Sequence, residues 1–323
     1  LLGAAVMMIS ALAGCGKNTK VVLTAGLKKN EVFRISSASC VLPEVMVYLT
    51  NMQNQYESVY GSQIWNASDG QLSLEQEERE QVLTQLARIK VMNLLAQKKE
   101  VTLDDKEKER AAAAGREYFT SLNSAEVTAL NVTQDLITKM YEEYALAEKV
   151  YQTIVENVNP EVSDDEARTI TVDMIRVSDS AKASQVLGKA KEEGVDFETL
   201  AQAESEDQTV TQSFGKGEVS EALEKAAFNL GKDEISDVVE SDGSYYILKC
   251  ISTFDEAQTK ANKEKIVKQR QSEAFDTEYT AFEQTLVRQL NEELWNSVTM
   301  IHQDDVKTSS FFEVYQMYFQ HQE

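Results

Sequence analysis

Apolar residues recur along this chain in two rhythms, and the change from one to the other divides it. After the polar stretch Gly16-Lys17-Asn18-Thr19-Lys20, Val21–Thr24 and Val32–Ile35 read as short strands. Helical spacing follows. Pro43 suits a first turn, and Val47, Leu49, Met52 and Tyr56 continue from it. A long helix is predicted from near Ser73, with Val82, Leu86, Ile89 and Leu95 at helical intervals among many charges. Asp104 or Asp105 is placed to cap the next helix, which holds the run Ala111 to Ala114. A helix from about Thr133 sets Leu136, Met140, Tyr144, Ala147, Tyr151 and Ile154 on one stripe, and Asn159-Pro160 ends it. Residues 15–167 therefore read as a mainly helical region.

From Thr169 the period shortens to two. Ile170 to Val177 alternates like a strand. Ala181–Glu193 reads as a helix stopped by Gly194, Phe197–Ala203 as a second, and Ser220–Asn229 as a third after a loop over Glu204–Lys216. Ile235–Val239 and Tyr245–Ile251 close the segment as strands. This order defines a compact unit over residues 168–253 and an α+β fold class. Beyond Phe254 a long helix is predicted over Ala257–Leu294, then a strand over Ser297–Ile301. Residues 254–323 thus form a second helical region. Its aromatic segment Phe311–Phe319 has two readings: an exposed stripe for unfolded chains, or a terminal helix docked on its own domain, the commoner use.

The uncharged run Leu1–Ala11 is too short for a spanning helix, which needs about 20 residues. It suits the apolar region of a secretory signal, here without the basic residues that precede one, so the start reads as trimmed. Leu12-Ala13-Gly14-Cys15 resembles the bacterial lipobox. That resemblance implies removal of residues 1–14 and lipidation of Cys15 with diacylglycerol and palmitate-type chains. The chain would then sit on the extracytoplasmic face of the cell membrane, since two acyl chains give stable anchoring. The competing reading is a core-helix fragment with a chance Cys.

A net charge of -22 argues against nucleic acid and against a polybasic membrane patch. Its plain reading is solubility. With 13 Gly and 2 Pro, the composition disfavours Gly-rich phosphate loops and turn-dense sandwiches. GxGxxG, GK[ST] and CxxC are absent from the sequence, so neither cofactor nor metal is implied. With Cys15 acylated, Cys40 and Cys250 remain; export would permit a disulfide, while two separate buried thiols are the commoner state.

Five stretches then occur in order: Gly194-Val195-Asp196-Phe197-Glu198-Thr199-Leu200-Ala201, Ser205-Glu206-Asp207, Leu223-Glu224-Lys225-Ala226-Ala227-Phe228-Asn229-Leu230, Glu234-Ile235-Ser236-Asp237-Val238-Val239, and Ser244-Tyr245-Tyr246-Ile247-Leu248. Together they resemble the parvulin family of peptidyl-prolyl isomerases, and their setting resembles PrsA- and SurA-like extracytoplasmic foldases. The resemblance implies a parvulin-like domain, a small antiparallel sheet with surrounding helices, inserted between helical chaperone segments. It also implies a peptide groove and unfolded or newly exported polypeptides as partners.

The family's two site His fall on Met174 and Tyr246, and no His precedes His302 in this sequence. Asp207 stands at the family's acidic position. Phe214, Val219, Leu223 and Phe228 fall where the resemblance places peptide-binding residues. Asp207 is also readable as an ordinary loop acid, and Tyr246 and the four apolar residues as core. A Tyr246–Asp207 hydrogen bond is one expectation for what replaces the His network. With both His replaced, isomerase activity is expected to be weak or lost. Two other readings of the chain are a solute-binding lipoprotein of a transporter, which calls for two α/β lobes, and a non-catalytic structural envelope lipoprotein.

Overall fold

A computed structural model describes residues 26–67 and 73–319. The expected strand at Val21–Thr24, the lipobox with Cys15, and His321 lie outside the described residues. The chain divides into two compact units, residues 1–157 with 272–323, and residues 158–271.

The first unit is built on helices. A hairpin of β1 (Glu31–Ile35) and β2 (Ala38–Val41) leads into α1 (Leu42–Tyr60), with Pro43 in its first turn. There follow α2 (Leu74–Lys99), α3 (Asp105–Ser121), α4 (Ser124–Leu130) and α5 (Gln134–Val155). Ser73, Asp104 and Thr133 accept the capping N–H bonds of α2, α3 and α5, the role their place before each apolar repeat predicts. Asn131 closes α4 in a left-handed conformation, φ 52°. Where α3 meets α5 the backbones lie so close that a Cβ on Gly115 would stand 2.9 Å from the Thr138 Cα. Ile137 and Tyr141 of α5 are fully buried, deeper than the Leu136, Tyr144 and Ala147 edge of the predicted stripe. The reason is that α5 packs on both α2 and α3.

The C-terminal segment departs from its expected elements. The helix predicted over 257–294 stops as α10 (Glu256–Glu283), and β7 (Arg288–Leu290) pairs antiparallel with β1, giving the sheet order β2-β1-β7. Leu286 and Leu290 keep the heptad spacing, yet the open edge of β1 captures this stretch; tertiary pairing overrides local preference. A short helix, α11 (Glu292–Asn296), comes next, and Ser297–Ile301 is irregular rather than a strand. The aromatic segment forms α12 (Phe311–Phe319), docked on its own unit with Phe311, Val314 and Tyr315 buried.

The second unit has one antiparallel sheet with strand order β4-β3-β6-β5. After the single-turn helix α6 (Asp164–Ala167), the central β3 (Thr169–Val177) pairs with β6 (Ser244–Ser252) along most of its length. The region expected to be loop, 204–216, supplies the edge strand β4 (Thr211–Gly215). Of the strand expected at Ile235–Val239, only an Ile235–Lys249 bridge forms before β5 (Val239–Ser241). Asp242 and Gly243 both take positive φ, 51° and 74°, as a two-residue hairpin between β5 and β6 requires. Helices α7 (Ser180–Ala190) and α8 (Phe197–Glu204) cover one face, burying Ala183, Val186 and Phe197 on Ile175, Val177 and Ile247. Helix α9 (Glu221–Phe228) covers part of the other. Both sheets are antiparallel, unlike the parallel-stranded lobes of the solute-binding alternative.

Cys40 and Cys250 are free, buried thiols, one in each unit. Among the described residues, no helix is long and apolar enough to cross a membrane.

Candidate functional site

The α9 face of the second sheet gathers most of the residues singled out in the sequence. Strand alternation puts Ile170, Val172, Met174 and Arg176 of β3 on this side, beside Tyr246, Leu248 and Cys250 of β6. Phe214 of β4 stands opposite Ile170, and Leu223 descends from α9. Met174, Phe214 and Leu223 are buried, whereas Val219, Phe228 and Tyr246 remain half-buried along its margin. Phe228 meets Phe214 edge-on at 6.3 Å, and the Arg168 guanidinium lies 5.0 Å over its ring. Phe228 is thus engaged on both sides by its own domain.

Met174 pairs with Leu248, and Arg176 pairs with Tyr246. Met174 and Tyr246 are therefore diagonal neighbours on one face. Asp207 reaches the same rim from the loop after α8, through local chemistry in Ser205-Glu206-Asp207. The Ser205 Oγ accepts the N–H groups of Arg176 (3.1 Å) and Asp207 (3.2 Å), while Glu206 N–H donates to the Arg176 carbonyl at 2.8 Å. These bonds stitch the loop to the end of β3.

The partner that Asp207 takes is Arg176, not Tyr246. Arg176 Nε–H donates to Asp207 Oδ1 at 2.7 Å, Nη1 lies 3.4 Å from Ser244 Oγ, and Glu206 Oε2 stands 3.9 Å from Nη1. The Asp207 carboxylate beside it raises the already high pKa of Arg176. At 29% side-chain exposure the guanidinium is partly dry and fixed. Arg176 is the residue that reasoning from motifs misses. Its signal was a cation at an even position of a strand whose other even positions, Ile170, Val172 and Met174, are apolar.

What results is an apolar floor with a polar rim of Arg176, Asp207, Tyr246 and Ser244. A proline ring needs an apolar seat, and the carbonyl before it needs polar neighbours.

Compared with known families, residues 157–265 match the PPIC-type PPIase domain. The second unit is a parvulin-type domain. The chain is 31% identical over 165 residues to the foldase protein PrsA of Streptococcus pneumoniae (strain Hungary19A-6), an alignment covering 46% of this chain and 53% of that one. It thus spans about half the length of the curated relatives it matches. Among solved structures it is similar to PrsA from Bacillus cereus, at 19% identity and a TM-score of 0.39, covering 75% of this chain and 91% of that one. It is also similar to a SurA-like chaperone from Campylobacter jejuni, at 10% identity and a TM-score of 0.31, covering 81% and 99%. In the matched span, Met174 and Tyr246 are diagonal neighbours across β3 and β6, with Arg176 and its partner Asp207 beside them.

Proposed function

We propose that this chain is an extracytoplasmic, PrsA-like folding factor that holds unfolded or newly exported polypeptides and seats X-Pro segments at its parvulin domain. The observation that carries the reading is the apolar face of Met174, Leu223 and Phe214, with half-buried Val219 at its margin and a rim of Tyr246, Arg176 and Asp207, within a PPIC-type domain. The helical segments 15–167 and 254–323 act together as one chaperone module. Cys15 carries the lipid that keeps the protein at the outer face of the cell membrane. Such a factor is useful because uncatalysed X-Pro isomerisation takes tens to hundreds of seconds, long enough for an exposed chain to aggregate.

Two assays with purified protein test this reading: suppression of aggregation of a chemically unfolded client, and the rate of a proline-limited refolding reaction. Activity in the first, with or without the second, is expected; inertness in both overturns the proposal. The anchor is tested separately by metabolic labelling with palmitate. Label should enter the wild type and be lost on Cys15→Ala.

A further inference from the structure

We propose that Arg176 is the catalytic hydrogen-bond donor of this domain, doing with a guanidinium what the parvulin family does with a His network; this rests on the X-Pro groove proposed above. The reaction makes and breaks no covalent bond. It rotates the prolyl C–N bond, whose barrier of roughly 18–20 kcal/mol comes from resonance between the nitrogen lone pair and the carbonyl. At the twisted midpoint that lone pair leaves conjugation and becomes a better hydrogen-bond acceptor than in either planar form. A donor fixed at the nitrogen therefore binds the twisted state preferentially, which is what lowers a barrier.

Such a donor must be charged, held rigid, set beside the apolar seat and not used up by its own partners. Arg176 meets each condition. Its strand position places it two residues from Met174, about 6.6 Å along β3, and directly across from Tyr246. Its Nε–H is spent on Asp207 at 2.7 Å, and that acid is itself pinned through Ser205. Nη1 has only the longer approach to Ser244 at 3.4 Å, with Glu206 at 3.9 Å beyond. Nη2 has no acceptor among the described residues, so two of the five guanidinium N–H groups are left to face a bound chain. Partial burial makes each remaining donor stronger than it would be in bulk water. Asp207 is then a positioning residue, which fixes the fork without touching substrate.

The test uses the full chain and a short acetylated Ala-Ala-Pro-Phe peptide, with cis–trans exchange followed by two-dimensional exchange NMR. Peptide affinity is read from chemical-shift titration, and folding from circular dichroism. Wild type should accelerate exchange. Arg176→Gln should lower kcat/KM roughly 10- to 100-fold, the scale of one charge-assisted bond, with affinity changed less than about twofold. Arg176→Lys should fall between them, since an ammonium keeps the charge without the fork, and it serves as the folded comparison if the glutamine variant is unstable. Asp207→Asn should lower kcat while KM holds.

An Arg176→Gln variant with the wild-type rate overturns the proposal. So does a wild type that binds the peptide yet leaves exchange at background, an outcome under which the groove itself stands. A wild type that binds no peptide removes the groove and this inference together.

Discussion

Tyr141 stacks on Phe311 with ring centroids 4.4 Å apart and planes 12° from parallel, and its hydroxyl donates to the Phe311 carbonyl at 2.8 Å. The two residues are 170 positions apart in sequence. Around them, Tyr48 and Tyr118 close on the same phenylalanine at 5.3 and 5.2 Å, and Asn51 Oδ1 accepts the Phe311 N–H at 2.9 Å. The chain's C-terminal helix is thereby a structural member of the first unit rather than a free aromatic stripe.

Phe311→Ala should therefore destabilise the first unit by about 3–5 kcal/mol, the range for emptying a fully buried aromatic site. Both tryptophans, Trp65 and Trp295, belong to this unit, so their fluorescence follows its unfolding in urea without reporting on the parvulin domain. A midpoint unchanged from wild type would show that α12 contributes no stability there.

Glu31 adds to the acid sensitivity of the same unit. Its side chain is fully buried, yet Arg34, the Ser39 hydroxyl at 2.6 Å and the Lys28 N–H at 2.9 Å all donate to it. Burial alone would raise its pKa; these donors outweigh burial and bring it down to about 2. A carboxylate depressed in the folded state contributes stability that is present above the unfolded value near 4.5 and lost as pH falls towards 2. With solvent screening of the 30%-exposed Arg34, the loss is about 2 kcal/mol. Glu31→Gln should flatten stability between pH 4.5 and 2, measured by urea midpoints at several pH values; an unaltered slope would locate the acid sensitivity elsewhere.

The helix starts were legible because capping is local chemistry: Ser73, Asp104 and Thr133 sit directly before their apolar repeats. The parvulin domain was legible through ordered fragments such as Ser205-Glu206-Asp207 and through the two-residue rhythm of β3. Strand β7 was not, because what makes Arg288–Leu290 a strand is the distant edge of β1, while its own spacing continues a helix. Strand β4 was hidden for a similar reason, its polar residues Thr211, Gln212 and Ser213 being an edge with little to bury. Motif reasoning named Asp207 but paired it with Tyr246 rather than Arg176, since a cation on an apolar strand face matters only once the neighbouring loop is folded against it.

Lys90 joins three helices by charge. Its ammonium is buried and lies 2.6 Å from Glu143 and 3.1 Å from Glu44, itself buried at the start of α1. Burial opposes the charge on Lys90, but the two carboxylates outweigh it and leave its pKa above the usual lysine value. Lys90→Met should cost about 3 kcal/mol, because it leaves the buried Glu44 charge with only the more exposed Lys139 ammonium, 3.5 Å away, and the Val41 N–H at 3.2 Å. Adding Glu44→Gln should restore part of that loss. Strict additivity of the two changes in a double-mutant cycle on tryptophan fluorescence would contradict direct coupling.

Val219 offers the cleanest separation of groove from chaperone module. It is half-buried beside Phe214 and Leu223, at the margin of the apolar face, so enlarging it fills the seat without opening the core. Val219→Trp should weaken binding of a proline-containing peptide roughly tenfold, about 1.4 kcal/mol. Because the first unit has its own core and lies elsewhere in the chain, its tolerance to urea should stay at the wild-type value. Suppression of client aggregation then decides how the two parts divide the work: if it survives the substitution, clients are held by the helical unit, and if it falls in step with peptide affinity, they enter through the parvulin groove. Unchanged peptide affinity in the variant would mean that proline does not sit against Val219 at all.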